Sequence, residues 1–452
     1  MSSLSSDSVK SPVAHCSSIF HLIDDPRLTK DSYVFIDDGM LVVENGIIIA
    51  AGERNEIEPT LAVDCKIVEH PNTIITPGFF DLHIHFPQLT TVAFYGEQLL
   101  GWLNGIIPEE EIYKNPEIAT ERAKIFLKET LRAGTTTMCA YGSWAKESVD
   151  ALFSEAERLN LRLIAGKVMA DRNMPDGISI TNPKDDYEHS SELIEKWHGR
   201  ARLAYAVTPR FAISCTPEDL KVAGNLMKEN PGIYMQTHLS ENPKEISFTL
   251  ELFPGRKSYL DVYDHYGLVN ERSIFGHCIH LDDDDFKRVS ETGAVLCPNP
   301  PSNMFLGSGL FKFEKAKEYG IRMGMGTDFG AGNTFSMLQS MENAYKTAQL
   351  QGYSLSPFEA FYHATLGGAR ALSIDNKVGN FEIGKEADFV VLDACCTPFI
   401  SWRMEHAKTP ISINQMVYLF IPSKMMLLKP NWKTSNHCRI IWIKQQKNLK
   451  AI

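Results

Sequence analysis

The sequence contains no apolar run of about 18 residues, the length that an α-helix needs to cross a membrane. Its serine-rich first residues also lack the apolar stretch of about 7 to 15 residues that marks a signal peptide. These absences argue against a membrane-spanning helix and indicate that the protein has no membrane partner. Residues 1–16 are predicted to form a disordered leader.

Paired cysteines and an excess of positive charge are also missing. The nine cysteines are scattered and include no Cys-x-x-Cys pair, so the sequence indicates neither a disulfide framework nor a cysteine zinc site. A reducing cytoplasm is therefore the expected location. The net charge of -11 argues against a nucleic-acid partner, because binding to a phosphate backbone requires a basic surface. A small-molecule substrate is expected instead.

The signatures of two further kinds of site are absent. The glycine-rich residues 324–330 are not followed by the Gly-Lys-Ser/Thr of a phosphate-binding loop, so they are interpreted as a tight turn after a strand. The His-x-Glu and Pro-Cys-x-x-Cys elements of the cytidine deaminases do not occur either. A zinc deaminase of that design is therefore excluded.

The ends of the chain predict a small β domain. Within residues 17–72, two apolar runs flank Asn45-Gly46, a dipeptide that strongly favours a β-hairpin. Residues 375–410 contain a glycine-rich turn and a second alternating run. We therefore predict a small β-sandwich domain formed by residues 17–72 and 375–410.

The last segment, residues 411–452, is an atypical basic tail. The final acidic residue of the chain is Glu405, and eight lysines and arginines follow it. One interpretation is an altered C-terminus that leaves the β domain incomplete. The other is a new interaction tail.

Between these segments, residues 73–374 alternate strand patterns with amphipathic helix patterns. Eight strand-then-helix units that close a parallel sheet form a (β/α)8 TIM-like barrel, so the predicted fold class is α/β. The eight predicted strands cover residues 73–83, 135–141, 161–169, 202–208, 233–238, 274–277, 294–297 and 322–327.

The predicted strand ends carry a set of metal-binding residues. Chemistry in such barrels occurs where the strands end, and the first strand ends in His83 and His85, whose i, i+2 spacing puts both imidazoles on one face. His238 and Asp328 end the fifth and eighth strands. Any one of these residues would more often be structural, but their joint placement favours a site. Three nitrogens and one oxygen suit Zn²⁺, with Fe²⁺ as the alternative.

The residues at the predicted strand ends also indicate how many metal ions bind and which side chains transfer protons. No lysine ends the fourth strand, where a two-metal site would need a bridging carbamate, and Lys167 on the third strand is a poorer candidate, so one metal per subunit is predicted. A bound metal makes hydroxide available near neutral pH. Glu241 is placed to carry a proton from the water to a leaving group, and His277 or Asp328 is the candidate for orienting the hydroxide.

Together these residues resemble the amidohydrolase superfamily, which is metal-dependent. The resemblance rests on residues 77–85, His238 and Thr327-Asp328. More specific similarity is to the guanine deaminase family and runs from about Phe20 to Leu392. The segments that carry this similarity are residues 83–88, 165–169, 207–211, 237–242, 306–311 and 326–328.

This resemblance implies hydrolytic deamination of guanine to xanthine and ammonia. Gln88 and Arg210 would form hydrogen bonds to the purine edges, with Phe211 against the ring face and with His238, Glu241 and Asp328 also touching the substrate. Directional polar groups combined with flat apolar contact are what a planar aminated ring requires. Members of the family are usually zinc-dependent homodimers, so a homodimer with one Zn²⁺ per subunit is expected.

The sequence departs from the family pattern in two places. Residues 297–303 carry two extra residues on a loop beside the substrate, and the family's closing Gly-Asp-Asp-Arg segment is not recognisable after about residue 411. Two alternatives to guanine deamination therefore stay open. One is a related deaminase or chlorohydrolase that acts on another heterocycle, such as a pterin, a triazine or an oxidised purine. The other is a purine-binding scaffold that has lost turnover.

Overall fold

A computed structural model describes residues 11–96, 98–176, 178, 181–393, 395–406 and 440–442 of the chain. These residues fall into two compact units, one within Met1–Gly78 and Ser373–Ile452 and the other within Phe79–Leu372. None of the described helices has both the length and the apolar character that crossing a membrane requires.

The unit that contains both chain ends is built on a six-stranded mixed sheet. The predicted hairpin is confirmed, because Tyr33–Glu44 pairs antiparallel with Ile47–Glu53 around Asn45 and Gly46. Both turn residues have positive φ, 50° and 83°, as a tight two-residue hairpin requires. The strands of this sheet lie in the order Ile440–Trp442, Phe389–Asp393, Lys66–Pro77, Val13–Leu22, Tyr33–Glu44 and Ile47–Glu53.

The chain returns to this sheet after the barrel. Phe389–Asp393 pairs antiparallel with Lys66–Pro77, and apolar side chains such as Ile19, Leu41 and Val391 form a common core. The described part of this unit contains one sheet, so it does not show the second, facing sheet that the predicted β-sandwich needs.

The structure corrects the predicted leader and leaves the role of the basic tail untested. The leader was predicted to extend to residue 16, but the first strand begins at Val13, and Ala14 and Cys16 are buried in it. The prediction was wrong for residues 13–16 because Lys66–Pro77, a distant partner strand, covers them. Most of the basic tail lies outside the described residues. Its three described residues, Ile440–Trp442, pair with Phe389–Asp393, and the role of the tail stays a prediction.

The second unit confirms the predicted (β/α)8 barrel fold. Its eight main strands are all parallel, and neighbours in the chain are neighbours in the sheet. A short strand, Val168–Met169, also pairs with the fourth of them. The eight barrel strands are Phe79–His85, Thr135–Tyr141, Arg162–Gly166, Leu203–Pro209, Tyr234–Leu239, Ser273–His277, Val295–Cys297 and Arg322–Met323.

Backbone hydrogen bonds connect the first barrel strand to the segment that follows the eighth. The Leu82 amide donates to the Met325 carbonyl at 3.0 Å, and the Asp328 amide donates to the His83 carbonyl at 2.8 Å. These bonds curl the sheet so that its first and last strands meet. Residues that are far apart in the sequence therefore share one rim.

Helices alternate with the barrel strands, as predicted. Several helix starts follow local signals; for example, Asn115 caps the helix Pro116–Arg132 with its side chain, and Thr216 caps Pro217–Glu229. The α-helices of the described residues are Arg54–Ile57, Leu99–Ile106, Pro116–Arg132, Lys146–Arg158, Pro183–Trp197, Pro217–Glu229, Pro243–Leu252, Tyr259–His265, Asp283–Thr292, Pro300–Phe305, Phe313–Glu318, Met337–Gln349, Pro357–His363, Leu366–Ala371 and Pro398–His406.

The first and last barrel strands differ from their predicted bounds. The predicted strand 73–83 is two strands, because Lys66–Pro77 belongs to the six-stranded sheet and Phe79–His85 to the barrel. The eighth strand is only Arg322–Met323 rather than 322–327. The segment after it passes close to the first strand, because a Cβ added to Gly326 would lie 2.7 Å from the Cβ of His83.

Gly166, at the end of the third barrel strand, offers a stability test. An added Cβ would lie 1.7 Å from the backbone carbonyl oxygen of Ala206, so Gly166→Ala must push two paired strands apart. We expect a loss of about 3 kcal/mol in the free energy of unfolding, measured by urea denaturation. Gly96→Ala is the control, because its Cβ would have only an ordinary contact at 3.9 Å. Equal stability of the two variants would contradict the claim that a side chain at position 166 pushes the paired strands apart.

Candidate active site

The four predicted metal ligands converge at one end of the barrel. The Asp328 Oδ1 atom lies 3.4 Å from His83 Nε2 and 3.2 Å from His85 Nε2. The Nε2 atoms of His85 and His238 are 3.2 Å apart. His83, His85 and Asp328 are buried, and His238 is partly exposed. Three strand ends thus bring three nitrogens and one oxygen to a single point.

The donor set fits a divalent metal ion. Ligands about 2.1 Å from a tetrahedral zinc lie about 3.4 Å from one another, close to the separations observed here. Burial lowers the pKa of His83 to about 3 and that of His238 well below its ordinary value, so both imidazoles are neutral, as metal ligands must be. His83 Nε2 and Asp328 Oδ1 are buried and have no hydrogen-bond partner among the described residues. A bound metal would satisfy them.

Neighbouring groups hold the ligands in place. His238 Nδ1 donates to the Arg210 carbonyl oxygen at 2.6 Å, which leaves Nε2 free for a metal. The Asp81 carboxylate accepts from the His83 amide at 3.2 Å and from the Thr327 amide at 3.0 Å. Burial raises the pKa of Asp81 to about 7. This carboxyl group ties the first strand to the segment that follows the eighth.

The structure brings the predicted acid–base residues to the same place. His277 Nε2 lies 3.5 Å from Glu241 Oε2 and 3.7 Å from Asp328 Oδ2. Burial raises the pKa of Glu241. Burial lowers the His277 pKa, but the carboxylates of Glu241 and Asp328, together with the hydrogen bond to Asn303, raise it overall. Buried titratable groups with shifted pKa values are typical of acid–base sites.

Backbone geometry at the site is unusual. Ser240, His277 and Asp328 have φ of 50°, 69° and 47°, in the left-handed region that non-glycine residues rarely adopt. Strained residues of this kind concentrate at functional sites. The next turn of the chain supports Glu241, whose backbone amide donates to Glu245 Oε2 at 2.8 Å. The chain is thus held in a conformation that directs Glu241 towards the metal ligands.

The loop at residues 297–303, which was predicted to carry two extra residues, also contributes to the site. It runs into the short helix Pro300–Phe305. The Asn303 side chain lies 2.8 Å from His277 Nδ1, and Ser308, just beyond the helix, donates to Glu241 Oε1 at 2.8 Å. Asn303 and Ser308 lie in segments that the sequence analysis singled out. Their partners, His277 and Glu241, could not be predicted because the fold brings them together.

Lys167 does not reach the metal ligands. Its buried ammonium group forms an ion pair with Asp186 and a hydrogen bond to the Val168 carbonyl at 3.3 Å. It is therefore not positioned to carry a bridging carbamate, which agrees with the prediction of a single metal.

A cavity extends from the metal ligands to the predicted substrate readers. Its lining includes every predicted site residue except His83, so Gln88, Arg210 and Phe211 share one cavity with three of the four predicted metal ligands. Leu99, Trp102, Leu103 and Leu306 add apolar wall. Apolar wall combined with a few convergent polar groups is typical of a small-molecule site.

One buried residue near this cavity was missed in the sequence. Glu110 is 1% exposed and accepts a hydrogen bond from Gln88 Nε2 at 3.1 Å. Its neighbours in the run Glu109-Glu110-Glu111 look identical in the sequence. The helical spacing of Trp102, Ile106 and Glu110 was the available signal, because it places Glu110 on the buried face.

Ser308→Ala tests how Glu241 is tuned. The Ser308 hydroxyl stabilises the charged carboxylate and so lowers the pKa of Glu241 against the larger effect of burial. Its removal raises that pKa, and because Glu241 must be deprotonated to accept a proton, the acid limb of kcat/KM moves to higher pH. We also expect kcat/KM to fall about tenfold, since hydrogen bonds to charged groups contribute about 1.5–3 kcal/mol. The exposed Ser290→Ala is the control; a pH profile equal to the parent's would contradict this role.

Comparison with known proteins agrees with this geometry. A model of the amidohydrolase family matches residues 74–430. The guanine deaminase of Escherichia coli K12 is 45% identical over 386 residues, which cover 85% of this chain and 88% of that protein.

Solved structures give the same grouping. The E. coli guanine deaminase structure matches with a TM-score of 0.86 and 41% identity, covering 91% of this chain and 95% of that one. A guanine deaminase from C. acetobutylicum with guanine bound in its active site matches with a TM-score of 0.80 and 27% identity, covering 90% and 96%. The chain therefore belongs to the amidohydrolase family and, within it, to the family of guanine deaminases.

Proposed function

We propose that this chain converts guanine and water to xanthine and ammonia. The observation that carries the proposal is that one cavity is lined both by Glu241 and three of the predicted metal ligands and by Gln88 and Arg210. Relatives that cover most of the chain are guanine deaminases, which supports the same substrate.

The proposed metal ligands are His83, His85, His238 and Asp328. They would hold one divalent ion, for which we propose zinc, with Fe²⁺ as the alternative, because nitrogen-rich sets with one carboxylate suit both. When bound, the ion lowers the pKa of a water molecule towards neutrality and so supplies hydroxide.

Glu241 is the proposed proton carrier. A C–O bond forms at C2 of the purine, and the exocyclic C–N bond breaks. Of the two protons that the water brings, one goes to the amino group, which leaves as ammonia, and the other goes to ring N3. Glu241 can accept and deliver these protons because its raised pKa brings it closer to neutral pH. His277 Nε2 lies 3.5 Å from Glu241 Oε2 and 3.7 Å from Asp328 Oδ2, and His277 and Asp328 would orient the attacking oxygen.

Gln88, Arg210 and Phe211 are the proposed substrate readers. Gln88 Oε1 and Arg210 Nη1 are buried and lack hydrogen-bond partners within the described part of the chain. Guanine presents a carbonyl acceptor at O6 beside a donor at N1, which complements one free donor and one free acceptor. Phe211 supplies flat apolar contact to the ring. Leaving these polar atoms unpaired is costly, so a ligand that pairs both is favoured.

Ammonia release tests the proposal directly. Metal-loaded protein is incubated with guanine, and the loss of guanine absorbance is compared with ammonia formed. We expect one ammonia for each guanine consumed. A panel of pterins, triazines and oxidised purines distinguishes a related deaminase or chlorohydrolase. Purine binding without ammonia release would identify a scaffold instead.

A homodimer and a cytoplasmic location belong to the same proposal. The dimer rests on the family resemblance, and light scattering of the purified chain tests it. The net charge of -11 supports a small-molecule partner rather than a nucleic acid.

A further inference from the structure

Glu110 is a buried carboxylate that contacts Gln88 and Arg210, two residues of the cavity wall. It lies in the 3-10 segment Ile107–Lys114, and it does not itself line the cavity. Glu110 Oε1 accepts from Gln88 Nε2 at 3.1 Å and lies 3.6 Å from Arg210 Nη1. This one oxygen therefore contacts both proposed substrate readers.

The contact determines which way the Gln88 amide faces. A glutamine side chain has a donor end and an acceptor end of almost equal shape, and its orientation follows its hydrogen bonds. The oxygens of a carboxylate that faces a guanidinium, as Glu110 faces Arg210, accept hydrogen bonds, so Glu110 receives the NH₂ group. The acceptor atom, Gln88 Oε1, is then turned away from Glu110. It is buried and has no partner within the described residues.

Packing on the other side leaves the amide little freedom. A Cβ added to Gly330 would lie 1.9 Å from Gln88 Oε1 and 2.9 Å from its Cδ, so the backbone of Gly330 approaches the amide closely. Gln88 itself is 1% exposed. The amide is thus confined between a backbone wall and a carboxylate that accepts only its donor end.

The fixed amide and the Arg210 guanidinium make a pattern that distinguishes purines. A 6-oxopurine offers a carbonyl acceptor beside an N1–H donor, which matches the Arg210 donor and the Gln88 acceptor. A 6-aminopurine offers an amino donor beside a ring-nitrogen acceptor. With that edge, Gln88 Oε1 would face the lone pair of the ring nitrogen, so two acceptors would meet. Removing this repulsion requires the Gln88 amide to rotate, which would turn its oxygen towards the Glu110 carboxylate.

We propose that Glu110 is a positioning residue that makes the cavity select 6-oxopurines over 6-aminopurines. The proposal rests on the proposed function, because it assumes that Gln88 and Arg210 face a purine. Glu110 would act without touching the substrate, by fixing the Gln88 amide so that its acceptor faces the N1–H of a 6-oxopurine.

Binding of two purines without a 2-amino group tests the proposal apart from turnover. Hypoxanthine carries the 6-oxo edge and adenine the 6-amino edge, and calorimetry gives the Kd of each. In the metal-loaded parent we expect hypoxanthine to bind about 100-fold or more tighter than adenine, since buried readers reject mismatched edges strongly. In Glu110→Gln, whose new amide can donate or accept, this ratio should fall about tenfold or more. Comparable binding of the two purines by the parent would overturn the proposal.

Two further variants separate positioning from general damage. Glu109→Gln removes the same charge from the exposed neighbouring residue and should keep the parent's ratio. The exchange Gln88→Glu with Glu110→Gln keeps one carboxylate in the pair and puts an obligatory acceptor in the cavity. Its preference for hypoxanthine should exceed that of Glu110→Gln. A folded Glu110→Gln with the parent's ratio, or an exchanged pair that does not recover the preference, would overturn the proposal.

Guanine turnover tests the proposed function, and the ratio of the two Kd values tests the role of Glu110. Guanine turnover by the parent together with an unchanged ratio in Glu110→Gln rejects only the role of Glu110. Selective hypoxanthine binding without turnover of guanine rejects only the proposed reaction.

Discussion

Glu241→Gln is expected to lower kcat for guanine about 10³-fold or more, because a positioned proton-transfer group contributes about 10²–10⁴ in rate. The amide is nearly isosteric with the carboxylate, but it cannot accept a proton from water. The variant should still bind guanine and keep the parent's metal content, since Glu241 is not among the four proposed ligands. Steady-state kinetics, equilibrium binding and metal analysis measure the three effects.

A matched control lies in the adjacent helix. Glu251→Gln changes an exposed residue of Pro243–Leu252 and should leave kcat within about twofold of the parent, as surface substitutions usually do. The role of Glu241 as proton carrier would be rejected if both glutamine variants turned over guanine equally fast.

Removal of the metal is expected to have the second large effect. Chelation should lower turnover about 100-fold or more, because the proposed metal would supply the hydroxide nucleophile at neutral pH. It should also lower the unfolding temperature, since a ligand present at 1,000 times its Kd stabilises the folded state by about 4 kcal/mol. Adding zinc back should restore both. His85→Ala should reduce the bound metal even when zinc is in excess, because it removes a ligand that lies 3.2 Å from Asp328.

An exposed histidine provides the control for the metal experiment. His265 lies at the end of the helix Tyr259–His265 and is exposed, so His265→Ala should keep one metal per subunit. Full activity after complete removal of metal would contradict the proposed site, as would His85→Ala that binds metal as the parent does.

The barrel and the convergence of the proposed metal ligands were predictable because their signals are local. Apolar runs of strand length alternate with helix patterns, and a His-x-His pair at the end of a strand points two imidazoles the same way whatever the rest of the chain does. The order of the strands then brings His238 and Asp328 to the same rim.

The partners of the catalytic residues were not predictable in the same way. Ser308 reaches Glu241 across 67 positions of the sequence, and Glu110 reaches Gln88 across 22. Such contacts depend on how loops pack, which local patterns do not encode. The same limit explains the error at residues 13–16, which form a strand because they pair with Lys66–Pro77, more than fifty positions along the chain.

The most direct test of the account is turnover of guanine by the metal-loaded full chain in ¹⁸O-labelled water. Hydrolytic deamination at C2 predicts ammonia in equal amount to xanthine, and xanthine that carries one heavy oxygen, at C2, by mass spectrometry. Absence of xanthine, or xanthine formed without the label, would contradict the central claim that water replaces the amino group in this cavity.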